Sequence, residues 1–538
     1  MTEVVEIPED YYLINFQSLL DFVTQQYNDL LTEPEQGFLD LFKSASEQAQ
    51  RLYVRLICRK GPLFRSDKLN YQEIENIASA ARELEELTLL NIRTDIEISE
   101  LASLATKPEL LKWFSSTTQI SSSRKRAELV EQLISEAPEM PSLPFEIYEP
   151  LFAEEVQRIQ FLFFGNLHQD LTEFVLQDLG LNTFEKYSLP KGSRLFKTQD
   201  ELNDALQLSH LNLLAYEAEY DKDSEALCDL QHDLPEQPTS PILNRRYSRL
   251  VNRIARELER EELFDDALAL FERSSLPPAR ERMARIQHKL GAIKESEGVC
   301  ENILANPASD MELEFARRFL KKLRNEKISR KKSAFSEQRL SLSETADRVE
   351  LQVQNYYQQE GWTAFYVENN LICGLAGLLF WDILFADIPD AFVHPFQSAP
   401  ADLLTPDFYR KRQTRFEQRF KELEKGELVQ YALDTYEKKR GISNRLIHWP
   451  SLSRELIDAA CRTIPWLHLK AIFEKLVFDF AHNRTGFPDL ILFKPDILQY
   501  LWVEVKGPGD KLQENQKRWL SFFVEHDIPA EVIYVDWQ

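Results

Sequence analysis

The sequence predicts a mainly α, multidomain chain that closes on one small α/β unit. Three observations carry this. At 538 residues the chain exceeds what one hydrophobic core organises, so roughly three or four domains are expected. Long stretches rich in Leu, Glu, Ala, Lys and Arg favour helix, and 15 glycines with 25 prolines are too few for a disordered or linker-dominated chain. Near the C-terminus the pattern changes to short apolar runs with the two-residue alternation of strands.

Residues 1–95 place apolar side chains at helical spacing, as in Leu19, Leu20, Phe22, Val23 and Tyr27, and then Ile74, Ile77, Ala80 and Leu84. They read as a helical N-terminal domain with no recognisable chemistry. Residues 96–140 change to two short helices around a polar turn. Lys107-Pro108-Glu109 opens the first, with Pro where its missing amide costs nothing. Ser121-Ser122-Ser123-Arg124-Lys125-Arg126 precedes the second. Serines and basic side chains at a helix start suit a DNA phosphate. This segment resembles a SAP module, a small duplex-binding unit, with Arg124, Lys125 and Arg126 as the expected DNA contacts.

Residues 141–344 read as a helical domain. Beyond the loop 231–241, helices are expected over Tyr247–Arg260, Glu262–Arg273, Pro278–Leu290 and Lys294–Ala305. Ala267 and Phe271 supply the small and large positions of a tetratricopeptide-like repeat. Arg245, Arg246 and Arg249 open the first of these helices, and Arg280, Arg282 and Arg285 lie on the third. Adjacent helices can gather them into one patch for a backbone or terminal phosphate, or they pair with the many nearby glutamates.

A net charge of -24 rules out DNA attraction by bulk charge, yet screening makes binding a matter of local fields. Lys321–Lys332 holds seven basic residues against one acid, and Arg410–Lys421 holds six against one. The five cysteines (58, 228, 300, 373 and 461) form no CxxC pair, so neither a zinc finger nor a disulfide framework is expected, and a reducing cytoplasm fits. The N-terminus lacks the basic and apolar regions of a secretory signal. The most apolar stretch, Leu371–Phe385, is too short to span a membrane and reads as a buried helix.

Residues 345–538 carry the chemistry. Gly486-Phe487-Pro488-Asp489 opens one apolar run, expected as a strand over Asp489–Phe493. Tyr500–Lys506 is its neighbour, and in a strand Glu504 and Lys506 point to the same face. A helix over Lys511–Glu525 and a strand over Glu531–Val535 follow. Two carboxylates and one ammonium converging at adjacent strands suit a hard divalent cation and a phosphodiester. That order of elements resembles the PD-(D/E)XK nuclease core. Asp489 and Glu504 are the expected ligands of Mg²⁺ or Mn²⁺, one ion or two, with the Val505 carbonyl as a further oxygen. Lys506 is expected to orient or deprotonate the attacking water, and Gln516 to hold the water or a ligand by hydrogen bond. Arg484, five residues before Asp489, is a candidate contact for the scissile strand's phosphate.

The run from Gly486 to Leu520, with FPDL, VEVKGPGDKL and Gln516, resembles the VRR-type nuclease domain of the Fanconi-associated nuclease family. Glu368, the segment Gly374–Ile383 and the segment Ile388–Phe392 also resemble that family's pattern, and a SAP-like unit before helical repeats matches its domain order. The zinc finger of animal members has no counterpart here, so the resemblance is to a compact bacterial-type member. It implies that Glu368 completes the metal site from a helix. It further implies 5′-flap cleavage with 5′-to-3′ exonuclease action on branched DNA in interstrand-crosslink repair. A monomer-capable, cytoplasmic, nucleoid-associated enzyme is implied, with no membrane partner. Two other readings stay open on the sequence alone: a junction resolvase or restriction-like endonuclease on the same core, and a non-catalytic repair scaffold.

Overall fold

The computed structural model describes residues 10–115, 124–167, 169, 171, 183–189, 194–326 and 335–538. The serines 121–123 and the basic residues 327–332 lie outside the described residues. The chain divides into two compact units, Met1–Leu181 and Asn182–Gln538.

In the first unit, α1 (Tyr11–Tyr27), α2 (Glu33–Ser44), α3 (Glu47–Ile57) and α4 (Ile77–Glu86) bury the predicted apolar positions. Leu19, Leu20, Val23, Tyr27, Ala80 and Leu84 are all buried. A three-stranded antiparallel sheet joins β1 (Phe64–Arg65), β2 (Leu90–Arg93) and β3 (Ile147–Pro150) in the order β1-β3-β2. Because β3 pairs with strands of the first hundred residues, this unit runs past residue 140. Between β2 and β3, α5 (Ile98–Leu104), α6 (Lys107–Phe114) and α7 (Arg126–Glu136) close around their own small core of Leu101, Leu110, Phe114, Leu129 and Leu133. The first of these three helices adds to the two that the sequence predicts. A last helix, α8 (Ala153–Phe164), ends on Gly165 in the left-handed region.

The second unit begins with α9 (Gln199–Asp221), followed by a series of helices that pack each on the next: α10 (Pro241–Arg260), α11 (Phe264–Glu272), α12 (Ala279–Lys289), α13 (Ile293–Ala305) and α14 (Asp310–Leu323). Ala267 and Phe271 are buried in this stack, as a small-and-large helix contact requires. The fifth helix, α14, extends the expected four and carries the start of the basic stretch.

The catalytic half is a five-stranded sheet in the order β4-β8-β7-β6-β5. It comprises β4 (Ser336–Leu342), α15 (Val349–Gln359), β5 (Thr363–Tyr366), α16 (Asn370–Leu379), α17 (Asp407–Glu422), α18 (Leu428–Lys439), α19 (Arg454–Thr463), α20 (Trp466–Phe478), β6 (Leu490–Lys494), β7 (Gln499–Lys506), α21 (Glu514–Glu525) and β8 (Ala530–Trp537). β5, β6 and β7 are antiparallel, whereas β8 runs parallel to both β7 and β4. Three of these strands are expected from the alternation pattern; β4 and β5 are additional. The strand expected from Asp489 starts one residue later, at Leu490.

Side-chain alternation sorts the sheet's two faces. Leu490, Leu492, Val503 and Val505 pack toward α15 with Val353 and Tyr357. Ile491, Phe493 and Trp502 pack on the other face with Trp519 and Phe523 of α21 and with the helical insertion α16–α20. Val503 and Val505 share one face, so Glu504 and Lys506 share the other, beside Trp502 and α21. Within the insertion the predicted buried helix is present: every residue from Leu371 to Leu379 is buried. No helix among the described residues is long and apolar enough to cross a membrane. No disulfide joins any of the five cysteines, all of which lie among the described residues.

The insertion is also held by a charge taken fully inside. Arg412 donates to Asp402 at 2.8 Å and to the carbonyl oxygens of Ile383 and Phe408. Its side chain is 0% exposed and that of Asp402 is 3%. Asp402→Ala leaves that guanidinium unpaired, and we expect a stability loss of ~3–5 kcal/mol in thermal or denaturant unfolding. A loss under ~1 kcal/mol would show that water reaches the arginine.

Candidate active site

The site sits where β6 begins and β7 ends. Pairing of β6 with β7 stops at Leu490↔Val503, so the peptide of Val505 is free to face Asp489. The Val505 amide donates to Asp489 Oδ2 at 2.8 Å, which fixes the carboxylate. On the same strand Glu504 Oε1 accepts from Lys506 Nζ at 2.6 Å and from Gln516 Nε2 of α21 at 2.6 Å. Glu504 is 0% exposed, and its second oxygen, Oε2, is buried with no hydrogen-bond partner. An orphaned carboxylate oxygen is a costly feature unless something else occupies that position.

Glu368 is brought alongside through the main chain. The Asp489 carbonyl accepts from the amides of Val367 (2.8 Å) and Glu368 (3.1 Å). The expectation that Glu368 projects from a helix is corrected. It lies in the turn between β5 and α16, at φ 40, a left-handed conformation that non-glycine residues hold only under constraint. The Asp489 carbonyl supplies that constraint, and the Tyr366 hydroxyl donates to Glu368 Oε1. The adjacent Asn369 Oδ1 accepts from the amides of Gly486 (2.8 Å) and Phe487 (3.2 Å), which ties the two segments a second time.

Gly486 has φ 98, and a Cβ there would lie 2.7 Å from the backbone carbon of Asn515 on α21. Only glycine lets the loop before Asp489 approach the helix that carries Gln516.

Burial is the leading electrostatic influence. It raises Asp489 to about 6, with the Val505 hydrogen bond and Lys506 opposing and Glu350 and Glu368 adding to the rise. It raises Glu504 to about 8, reinforced by Asp489 and Glu368 and opposed by Lys506. Glu350, in the first turn of α15, is a fourth acidic group facing this site, and sequence reasoning misses it. Its only sequence signal is an acid near the start of a helix before β5. The residues fit a hard divalent cation: crowded carboxylates whose proton affinity burial raises, and one buried oxygen without a donor. Among the described residues no three acids, histidines or cysteines close on one another as a ready-made metal cluster, and in this site Lys506 and the Val505 amide contact the carboxylates.

The predicted basic residues fall into three groups. Arg245, Arg246 and Arg249 lie on the first turns of α10, where the charge of Arg249 adds to burial in lowering both Arg245 and Arg246. Burial lowers Arg245 and brings Arg246 down to about 10. Arg445, missed from sequence, is lowered by burial and then by Arg484 and Arg249. Five guanidiniums are therefore gathered in one place, and Arg484 Nε is buried without a partner. Arg484 begins the loop that leads to Asp489.

The third-helix arginines do not join them, which corrects the single-patch expectation. Arg280 forks onto Glu312 (2.8 and 2.6 Å), Arg282 onto Glu259, and Arg285 onto Glu281 (2.9 Å). Each charge is neutralised within the repeat stack. At the SAP-like unit the Arg126 guanidinium donates to the carbonyls of Ala102 and Ala105 at the end of α5, while the residue stays exposed. Arg124 and Lys125 are exposed, with Arg124 donating to Gln132 at 2.8 Å.

The comparisons with known proteins agree with this chemistry. The family model described as "VRR-NUC domain" matches residues 424–537, and one described as "FAN1, HTH domain" matches residues 10–91. The Fanconi-associated nuclease 1 homolog of Pseudomonas aeruginosa is 36% identical, over 99% of this chain and 97% of that one. The homolog of Oryza sativa subsp. japonica is 26% identical over 97% of this chain and 62% of its own length. A crystal structure of paFAN1 bound to DNA with a two-nucleotide 5′ flap and a gap superposes with a TM-score of 0.87 at 34% identity, covering 99% of both chains.

Gly486→Ala is expected to lower catalytic turnover more than stability, because the loop must retreat from Asn515; unchanged turnover would contradict the close approach. Between the ordinary carboxylate range and about pH 8, the native metal-free chain keeps protons that the unfolded chain has released. Its stability should therefore fall as pH rises through that window, and Glu504→Gln should flatten the slope in thermal unfolding. An identical slope in the variant would remove Glu504 as its source.

Proposed function

Because the chain belongs to the Fanconi-associated nuclease family, whose members are structure-specific DNA nucleases, we propose that it cuts DNA near the base of a short 5′ flap. The reading includes 5′-to-3′ exonuclease action and a role in interstrand-crosslink repair. The single observation that carries it is one unit holding both a buried acid-and-lysine site and a group of gathered arginines, linked by the loop Arg484–Asp489. A strand end held at the arginines lies a few residues of loop away from the hydrolytic groups.

Asp489, Glu504 and Glu368, with the Val505 carbonyl, are the groups that would hold Mg²⁺ or Mn²⁺. A divalent cation bound there supplies positive charge against the phosphodiester oxygens and favours ionised water as nucleophile. The protein's own residues do the remaining work. The Val505 amide presents Asp489 in one orientation. Gln516 Nε2 holds Glu504 Oε1, so that Oε2 is left buried and without a hydrogen-bond partner. Lys506 Nζ, 2.6 Å from Glu504, is positioned to give or take a proton at the attacking water and to offset charge as the bond breaks. Hydrolysis leaves a 5′ phosphate on the released side. Arg245, Arg246 and Arg249 with Arg445 and Arg484 take a terminal or bridging phosphate, where unpaired guanidiniums favour a dianion. The exposed Arg124 and Lys125 and the helical repeats contribute a platform for duplex.

The resolvase reading differs in one respect: it requires symmetric nicking of a four-way junction. Incubated with Mn²⁺ or Mg²⁺, the purified chain is expected to cut a 5′ flap faster than a four-way junction or linear duplex. Asp489→Ala and Lys506→Ala should reduce cutting by on the order of 10³ or more while DNA binding persists. Equal, symmetric junction cutting would favour a resolvase, and undiminished cutting by either variant would remove these residues from the mechanism. Arg249→Gln should abolish any preference for a 5′-phosphorylated flap over a hydroxyl-ended one.

A further inference from the structure

The second unit contains a groove of about 760 Å³ that shares Arg245 with the arginine group. One wall is the start of α10, the loops after α11 and α13 form its floor, and the first turns of α17 with Phe478 form the other wall. Its chemistry is mixed in a particular way. Arg410 is exposed and paired only to Asp407 at 2.7 Å, and Lys411 and Arg415 continue as exposed cations along α17. Phe478, at the end of α20, is 42% exposed, with its ring 6.1 Å from that of Tyr409. Asn306 and Gln413 add amide groups along the wall.

This accounts for the second basic run seen in the sequence, Arg410–Lys421. Two of its members are spent on other partners in the insertion: Arg412 is buried with Asp402, and the buried Arg419 pairs with the exposed Asp382. Of the others, Arg410 lines the groove with the exposed Phe478, and Lys411, Arg415 and Lys421 remain exposed on the same helix. Exposed cations beside an exposed ring are what unpaired nucleotides require, since every base offers a face for stacking and every linkage a charge. An acidic peptide would use the cations but gain nothing from Phe478 and Tyr409.

We propose that this groove binds the unpaired nucleotides of a 5′ flap that extend beyond the phosphate held at the arginine group. The proposal rests on the flap reading above. It makes the chain a binder of longer single-stranded flaps as well as short ones, with base stacking on Phe478 and phosphate contact to Arg410.

The test is equilibrium binding of the full chain, in chelator to prevent cutting, to three matched DNAs: a nicked duplex, a one-nucleotide flap and a ten-nucleotide oligothymidine flap. The wild-type chain should bind the long flap about tenfold more tightly than the short one. Phe478→Ala and, independently, the surface change Gln413→Glu should each erase that gain and leave short-flap affinity unchanged. If the wild-type chain does not distinguish either flap from the nick, the flap reading itself fails. If flaps are preferred but length brings no gain, or the gain survives both variants, the groove assignment fails while the flap reading stands. Displacement of the long flap's contribution by a polyglutamate peptide, with both variants retaining the DNA gain, would assign the groove to an acidic peptide instead.

Discussion

Glu504 and Lys506 are buried together, with the half-buried Asp489 beside them, at the open corner between β6 and β7, and the rest of the arrangement depends on holding them there. Burial alone would make an ionised Glu504 costly, and the ion pair to Lys506 with the bond from Gln516 compensates only one of its two oxygens. What remains is a site stabilised by a proton or by a cation. The surrounding fold is organised to keep this corner closed. Trp502, Trp519 and Phe523 pack directly beneath it, and the loop Gly486–Pro488 lies over α21 at a distance only glycine allows.

The second element is the main-chain clamp. Asp489 serves with both ends: its carboxylate is set by the Val505 amide, and its carbonyl holds Glu368 in a left-handed turn. A displacement of one acid is therefore transmitted to the other, and three strands share in the geometry of one pair of side chains. The helical insertion between β5 and β6 extends the same logic to the arginines, because Arg445 and Arg484 belong to its segments while Arg245, Arg246 and Arg249 reach in from α10. The arginine group and the acid-and-lysine corner are built from neighbouring turns.

The part of this site that is legible in the sequence is the part contained in a short stretch of chain. Asp489, Glu504, Lys506 and Gln516 lie at two strands and the following helix, and the two-residue period of a strand is enough to put Glu504 and Lys506 on one face. Strand β4 is not legible, because Ser336–Leu342 is polar and largely exposed, as an edge strand tolerates, and only its parallel pairing to β8 defines it. Glu368 is named through resemblance, but its turn is imposed by a backbone carbonyl remote in sequence. The arginines divide for a reason no single sequence displays. Arg280, Arg282 and Arg285 meet glutamates within the repeat stack, whereas Arg245, Arg246 and Arg249 meet other arginines. Charge counting along the chain finds both groups and cannot tell a neutralised cation from an available one.

If crowded and buried acids hold a proton that a divalent cation displaces, calorimetry of Mn²⁺ binding at neutral pH, in two buffers of different ionisation enthalpy, will detect the exchange. Net proton release is expected on binding, on the order of one per chain, decreasing as the pH is raised past about 8 and lost in Glu504→Gln. Binding with no release at neutral pH would mean that both acids are already ionised in the metal-free chain, and the buried proton would have to be abandoned.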